Sequence, residues 1–413
     1  MLKKMISEKV YCGLDIGAQK IKAAILKVHD AGQTQLMAVA ENKTQGLKDL
    51  SVRDLGELSE CIHTTISQAA QEANIKIKEV QLGIGGEFVE LRETSALIPL
   101  VDRGNKIITQ QDIKKVNHQA NLLGLKMDEQ TLHSIAQYYL VDDVNTALNP
   151  VGLYGRKLGV EALLIVTNIN RVRNITHAVN HAGYDVGHLY FGTYAASEVV
   201  FSKEQKQKGC VLLDVGAAVT SILIFKEGVL KYLSKIDIGG DHFTRRIVEK
   251  LNLSFDLAEE LKQSYAVALS TDQHQKEDIL LKQESNYVPV KREVLYQAIE
   301  GEILNFIQGI ELALKTSGFR DQINDGITMI GAGALLTGFI ERIEGDLHLA
   351  VKLGKVNISS RKTLNQTGNF ASCIGLAQHA YKQSSCSLLS SEDLLNWRKS
   401  LSGKIKELYE EYF

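Results

Sequence analysis

Two short segments of this chain have the make-up of a phosphate-binding turn. Val10-Tyr-Cys-Gly-Leu-Asp-Ile-Gly17 and Gly209-Cys-Val-Leu-Leu-Asp-Val-Gly216 are apolar runs that end in Asp-x-Gly. Each is followed by a second apolar run, Ile21 to Val28 and Thr220 to Phe225. A glycine turn between such strands exposes backbone N–H groups, which hold phosphate oxygens without help from a side chain. The adjacent carboxylates, Asp15 and Asp214, suit Mg²⁺, an ion that keeps several waters and takes few protein ligands. Two further glycine elements follow. Gly239-Gly240-Asp241 ends a strand and opens a helix, so its first N–H groups are expected to face the same space. Gly331-Ala332-Gly333 does the same at a third strand. One such element alone reads as a plain β-turn. Four of them at strand ends point to a bound nucleotide. Glu259 and Lys262 share one helical face, a spacing that serves a surface ion pair as well as a ligand. The histidines show no metal spacing: His177 and His181 are four apart on a helix but lack the glutamate of a zincin.

The elements that must position these residues alternate between strand and helix. Leu55 to Glu72 carries Leu55, Leu58, Ile62, Ile66, Ala69 and Ala70 at helical spacing, and Val80-Gln-Leu-Gly83 is a short strand ending in Gly85-Gly86. From about Glu87 the texture changes. Thr109 is a good N-cap with Asp112 in the first turn, Leu132 to Val141 reads as a strand, and Glu161 to Thr167 is a fully apolar strand. Ile169 to Ala182 predicts a helix that stops at Gly183. The second Asp-x-Gly run then restarts the pattern of the first, an internal duplication. Phe243, Ile247 and Leu251 mark one helix, and Ile299, Ile303, Phe306, Ile310 and Leu314 mark a long one over Val294 to Leu314. Ser270 to Tyr287 is polar and reads as a loop or weak helix, and Cys373 to Ala380 as a short helix.

At 413 residues the chain is long enough for roughly two to four domains. Apolar residues at 44% and charged residues at 23% exclude a wholly disordered chain and a multispanning membrane protein. A formal net charge of −2 gives no global pull toward nucleic acid, so no nucleic-acid partner is expected. Five scattered cysteines without a CxxC pair argue against a disulfide framework or a zinc ribbon and fit a reducing cytosol. No run approaches the roughly 20 apolar residues that span a bilayer.

The order of these elements resembles the actin/sugar-kinase/Hsp70 ATPase superfamily. Within it the chain is similar to FtsA, the actin-like bacterial cell-division family. The stretches that carry this likeness are Val80-Gln-Leu-Gly-Ile-Gly-Gly86, Ile108-Thr-Gln-Gln-Asp-Ile113, Leu132 to Asp142, Asn149-Pro-Val-Gly-Leu-Tyr-Gly155 and Ala258-Glu-Glu-Leu-Lys262. The resemblance covers about 10 to 382. It implies an α/β, actin-like duplicated fold of two halves around a nucleotide cleft. Residues 1–85 and 166–205 would form the first half, and 86–165 an FtsA-type inserted subdomain. Residues 206–240 and 301–382 would form the second half, and 241–300 a small subdomain. It also implies ATP and Mg²⁺ as cofactors. Asp15, Gly17 and Lys20 would belong to the first phosphate hairpin, and Asp214 and Gly216 to the second. Gly239, Gly240 and Asp241 would approach the nucleotide, Glu259 and Lys262 would lie near ribose and adenine, and Gly331 and Gly333 would let the backbone pass the adenosine.

The chain departs from the family pattern in the second hairpin, Asp214-Val-Gly-Ala-Ala-Val-Thr-Ser221. Ala217 and Ala218 bring Cβ atoms where a close phosphate or a positive φ would favour glycine. Val219 replaces a hydroxyl, Ser221 a carboxylate, and Ala332 a glycine; Ala18-Gln19 replaces a Thr-Ser pair. Backbone donors survive these changes and side-chain donors do not, so nucleotide binding with weak or absent hydrolysis is expected.

The tail carries the remaining signal. After a Ser-rich linker at 383–391, Leu394, Trp397, Leu401, Ile405, Leu408 and Tyr412 recur at steps of three or four, with Arg398 and Lys399 beside the stripe. The only Trp of the chain lies here, and Trp favours the headgroup interface. Residues 392–413 thus read as an amphipathic membrane-targeting helix, and a helix docked on protein is the competing reading, because the tail holds five acids to four bases. The family likeness implies a peripheral protein on the cytoplasmic side of the inner membrane at midcell. It would self-associate into filaments, anchor the FtsZ ring through the FtsZ C-terminal peptide, and recruit other divisome proteins to the septum. A PilM-like pilus-assembly scaffold shares the insert. A small-molecule kinase is disfavoured by the lost hydroxyls and carboxylate at 217–221, and an Hsp70-type chaperone by the shortness of the tail.

Overall fold

The computed structural model describes residues 9–29, 33–48, 51–100, 106–143, 145–269, 278–283, 286–360 and 368–384. The linker beyond residue 384 and the tail, with Leu394, Trp397, Arg398, Lys399, Leu401 and Ile405, lie outside the described residues.

The first half opens with β1 (Lys9–Ile16), β2 (Lys20–Val28) and β3 (Thr34–Lys43), paired antiparallel. A small pair follows, β4 (Leu47–Lys48) and β5 (Ser51–Val52). Helix α1 (Leu55–Ala73) buries Leu58, Ile62, Ile66 and Ala69, the stripe its spacing predicts. Asp54 caps its start by accepting from the Glu57 N–H, and Asn74 ends it in the left-handed conformation at φ 54°. Strand β6 (Glu79–Ile84) joins β1 in parallel.

The insert comprises β7 (Val89–Pro99), β8 (Lys106–Ile107), α2 (Gln110–Gly124), β9 (Glu129–Val141), β10 (Asn145–Ala147), β11 (Tyr154–Gly155) and β12 (Lys157–Asn168). Its sheet runs β10-β9-β12-β7. Helix α2 begins at a capping box between Thr109 and Asp112, with Lys106 paired to Asp112 at 2.8 Å. Val116 and Ala120 turn into a core shared with Val141, Leu158 and Val160, separate from the cores of the two halves.

The chain returns through α3 (Ile169–His181), β13 (Asp185–Phe191), α4 (Gly192–Val200) and α5 (Lys203–Lys208). The second half repeats the first: β14 (Cys210–Val215), β15 (Thr220–Lys226) and β16 (Val229–Ile236) are antiparallel neighbours. Next come α6 (Gly240–Leu251), α7 (Phe255–Tyr265), β17 (Asp278–Gln283), β18 (Asn286–Lys291), α8 (Arg292–Ser317), β19 (Ile327–Ile330), α9 (Phe339–Leu347), β20 (Val351–Leu353) and β21 (Ser359–Ser360). The sheets run β13-β6-β1-β2-β3-β21 and β16-β15-β14-β19-β20. In both, an antiparallel three-strand meander is followed by parallel strands on the far side of its first strand, so the expected duplication is present.

Strand alternation aims the carboxylates. On β14, Val211, Leu213 and Val215 enter the core of the second half, whereas Cys210 and Leu212 face the first half. Asp214 shares the side of Cys210 and Leu212 and so looks toward the first half. The second core is anchored by Phe243, Phe306 and Phe339, whose ring centroids lie 5.1–6.3 Å apart.

Three features differ from the sequence reading. Residues 278–283 and 286–291 form the antiparallel pair β17–β18 rather than a loop or weak helix: charged and apolar residues alternate too weakly there to reveal strands. The boundary at 300/301 falls inside α8. Strand β21 pairs with β3, and the helix over 371–384 packs Ala371, Cys373, Ile374 and Ala377 into the first core, so this stretch sits with the first half. The fit is close: a Cβ on Gly13 would lie 1.9 Å from the Cys373 carbonyl oxygen. An apolar stripe shows that a helix is buried, not which core it joins. Among the described residues, no helix is long and apolar enough to cross a membrane.

Candidate nucleotide site

The loops β1–β2 and β14–β15 face one another across a cleft of about 440 Å³. Both turn in the same way. The Gly17 N–H donates to the Lys20 carbonyl at 3.0 Å, and the Gly216 N–H to the Val219 carbonyl at 3.1 Å. A Cβ on Gly17 would lie 3.0 Å from that carbonyl oxygen, a tight approach, and one on Gly216 2.8 Å from its counterpart, too close to fit, so glycine is favoured in the first turn and required in the second. Among the described residues, no hydrogen bond uses the N–H groups of Ala18, Ala217 or Ala218, which leaves these donors to a ligand. The backbone part of the expected conflict at Ala217 and Ala218 does not arise: neither has a positive φ, so alanine fits the turn without backbone strain.

Asp15 and Asp214 sit on the floor of the cleft. Burial pushes the Asp15 carboxyl up to about 6; nearby Lys22 counteracts this and the charge of Asp214 adds to it. Burial also raises Asp214, against a 2.8 Å hydrogen bond from the Thr193 hydroxyl and the charge of Lys22. Both residues line the cavity and are half-buried. Glu87 joins them: burial is the main cause of its raised pKa, and the Asp15 charge adds to it. The Lys22 ammonium is tied to the Asn369 carbonyl at 2.8 Å and to its side-chain oxygen at 2.6 Å. Three carboxylates held against their preference to ionise and one restrained ammonium suit a cation carried in with phosphate. Among the described residues, no three His, Cys, Asp or Glu side chains are grouped to cage a metal directly. Such a cation would keep its waters, as Mg²⁺ does, with Asp15 and Asp214 as its nearest anchors.

The start of α6 overturns one expectation. Its first N–H groups are already used. Gly239 donates to His242 Nδ1 at 3.1 Å, Gly240 to the Gly216 carbonyl at 2.9 Å, Asp241 to the Ala217 carbonyl at 2.8 Å, and His242 to the Gly239 carbonyl at 3.1 Å. The helix end therefore braces the second hairpin instead of offering donors to phosphate. Gly239 lies behind the cavity wall, where a Cβ would be 2.5 Å from the Ala217 carbonyl oxygen. Gly240 and Asp241 do line the cavity.

Glu259 and Lys262 also line it, but not as an exposed pair: the Lys262 side chain is only 11% exposed. Its ammonium donates to the Gly240 carbonyl at 2.8 Å, Thr244 Oγ1 at 2.8 Å and Glu259 Oε2 at 2.7 Å. Its three protons are thus committed to fixing the first turn of α6. Thr244 also donates to Glu259. On the opposite wall Gly331 has φ 86°, and a Cβ there would meet the Val215 carbonyl oxygen at 2.5 Å; a Cβ on Gly333 would meet the Val215 side chain at 2.5 Å. Both glycines let the β19 turn lie flat on the second hairpin, beside Leu335 and Leu336 at the apolar end of the cavity. Lys20 lines the rim and pairs with Glu41 at 2.6 Å.

Sequence reasoning missed Gln19 as a cross-cleft contact, and it missed Lys22, Glu87, Thr193 and Asn369. For Glu87 a signal existed in the preceding Gly85-Gly86, which reads as a strand end. Thr193 and Asn369 are brought in by distant elements and carry no local signal.

Two halves of one topology, each turning a glycine hairpin into a shared cleft, define an actin-like protein. Solved structures share this fold. The PilM–PilN type IV pilus biogenesis complex matches with a TM-score of 0.65 at 18% identity over 90% of this chain and 98% of that one. MreB5 of Spiroplasma citri bound to ADP matches with a TM-score of 0.53 at 11% identity over 92% and 98%. The sequence is more specific. Residues 211–375 match the family model "Cell division protein FtsA", and 86–166 match "SHS2 domain inserted in FTSA". The cell division protein FtsA of Pseudomonas aeruginosa is 28% identical over 350 residues, 84% of this chain and 83% of that protein. The chain belongs to the FtsA family of cell-division proteins.

Proposed function

We propose that this protein binds ATP with Mg²⁺ in the cleft, self-associates through its actin-like body, and anchors the FtsZ ring to the cytoplasmic face of the inner membrane at midcell. The observation that carries the nucleotide reading is the pair of facing hairpins. Each leaves turn N–H groups unused, and both stand over the half-buried carboxylates Asp15 and Asp214. When bound, Mg²⁺ would offset the phosphate charge, and the hairpin N–H groups would orient the phosphates. Gly331 and Gly333 would let the base approach the β19 turn. Hydrolysis is proposed to be slow, because Ala217, Ala218 and Val219 supply no side-chain donor. The nucleotide-bound MreB5 fold supports the same use of the cleft. Fluorescence titration with an ATP analogue, with and without Mg²⁺, tests this; no saturable binding rejects it.

The division role rests on family membership. The region 241–300 is proposed to receive the FtsZ C-terminal peptide, and the apolar stripe of 392–413 to enter the lipid interface. Lipid-vesicle pelleting of the whole chain and of a version ending at Gln383, each with and without FtsZ, tests both. The tether reading expects the whole chain to pellet and bring FtsZ with it, while the shortened chain stays in solution. If neither pellets, the pilus-type scaffold moves ahead, a reading that the PilM–PilN match supports at the level of fold.

A further inference from the structure

At the mouth of the cleft, two side-chain contacts join the halves. Gln19, at the tip of the first hairpin, donates from Nε2 to both carboxylate oxygens of Asp241, at 3.2 and 3.1 Å. Lys43, at the end of β3, pairs with Asp256 at 2.8 Å, with side chains 63% and 80% exposed. Both contacts are charge-assisted; the first is part-buried in the cavity wall whereas the second is exposed, which makes the first the stronger of the two.

Both of its partners stand on rigid supports. The Gln19 carbonyl accepts from the Thr44 N–H at 2.9 Å, and the Thr44 hydroxyl donates to the Gly17 carbonyl at 2.8 Å. Asp241 is fixed by its own N–H on the Ala217 carbonyl, and the turn before it by Lys262 on the Gly240 carbonyl. The floor is closed by other means: the Thr193–Asp214 hydrogen bond and the chain passing from one half to the other near α5. With the floor joined, the mouth is where the two halves can part.

We propose that Gln19–Asp241 is a latch across the cleft that sets how fast nucleotide enters and leaves, with Lys43–Asp256 a minor second point. This rests on the nucleotide reading of the same cleft. A latch slows entry and exit together, whereas a direct contact with bound nucleotide slows exit alone.

The experiment is stopped-flow association and dissociation of a fluorescent ATP analogue with the full chain and its variants. Gln19→Ala is expected to raise both rate constants, dissociation by about tenfold, the scale of one charge-assisted hydrogen bond. Asp241→Ala is expected to do the same, and the double variant to add little, because both remove one contact. Lys43→Ala stays within about twofold. Unaltered rates in Gln19→Ala, effects that multiply in the double variant, or a rise in dissociation alone would each overturn the latch. Hydrogen exchange without nucleotide separates the two readings: the latch expects faster exchange at 17–20 and 239–242 in both variants. If the native chain binds no analogue, the nucleotide reading fails, and this exchange result still decides whether the contact holds the mouth shut.

Discussion

The two glycine hairpins share one turn and are braced differently. Their turns close with nearly the same hydrogen bond, 3.0 Å at Gly17 and 3.1 Å at Gly216. The first is braced by one residue, Thr44, whose hydroxyl donates to the Gly17 carbonyl and whose N–H donates to the Gln19 carbonyl, and it carries a polar tip, Gln19, that reaches across the cleft. The second is braced by backbone, since the first turn of α6 donates two N–H groups to the carbonyls of Gly216 and Ala217. Its own tip is apolar. The Thr44 brace rests partly on a hydroxyl that can vary, whereas the helix brace presses Gly239 onto the hairpin, where a Cβ would meet the Ala217 carbonyl oxygen at 2.5 Å. The difference separates a platform braced by a helix end in the second half from a polar finger held by Thr44 in the first.

The sharpest test of that contrast removes each brace. Gly239→Ala places a Cβ 2.5 Å from the Ala217 carbonyl oxygen and 2.6 Å from that of Gly216, with backbone on both sides and no flexible side chain to yield. The expected cost is ~2–3 kcal/mol of stability, together with loss of measurable nucleotide affinity. Thr44→Val, the matching change under the first hairpin, removes one hydroxyl donor and is expected to cost ~1 kcal/mol. Chemical denaturation and nucleotide titration of the two variants check the order. Equal costs would show the braces to be equivalent and end the distinction.

The floor carboxylates differ next. Asp15 has its pKa pushed up to about 6, from an ordinary value of 3.8, chiefly by burial. The folded form therefore keeps this proton after the unfolded chain has released it. Stability is expected to fall as pH rises from about 4 to 6, by at most ~3 kcal/mol, and to level off above that. Affinity for Mg²⁺–nucleotide runs the other way, rising over the same window as Asp15 becomes charged. Asp15→Asn should flatten both profiles. Asp214→Asn should keep the affinity rise but move it to lower pH, since the Asp214 charge helps to raise Asp15, while lowering affinity throughout, because it also disturbs the hydrogen bond from Thr193. Calorimetric titrations at pH 5, 6 and 7 decide this; a flat affinity profile in the native chain would remove Asp15 from the cation site.

These contrasts also mark what the sequence makes legible. Asp15-x-Gly17 and Asp214-x-Gly216 are visible because turn chemistry is local: the residues that make the bend are the residues that show it. Helix α1 was readable to within a residue or two because its stripe and its cap lie within it. The use of the α6 N–H groups was not, since it depends on carbonyls more than twenty residues earlier. Lys262 looked like half of a surface pair because its other two acceptors, the Gly240 carbonyl and Thr244, lie on another helix. The Gln19–Asp241 contact joins residues 222 apart in sequence, and no pattern within either segment announces it. Helix 371–384 was read as a helix, but its place in the first core follows from shape alone, with Gly13 and Gly375 each meeting a carbonyl of the facing element.

The mildest test asks whether the second hairpin lost its side-chain chemistry without losing its platform. Val219 lines the cavity with its side chain partly open to it, so Val219→Thr puts a hydroxyl beside the unused N–H groups of Ala217 and Ala218 with little change in shape. A hydroxyl that faces water is not stranded, so stability is expected to stay within about 0.5 kcal/mol. Nucleotide affinity should rise by a few fold, the worth of a neutral hydrogen bond of ~0.5–1 kcal/mol. The same substitution at Ala18, on the finger rather than the platform, should change affinity less, because Gln19 already supplies a polar group there. A gain at Val219 and none at Ala18 would show that the platform still presents its backbone correctly and lacks only the donor. No gain at Val219 would mean that the phosphates are held chiefly by the first hairpin, and that the apolar tip of the second marks a surface that no longer touches them.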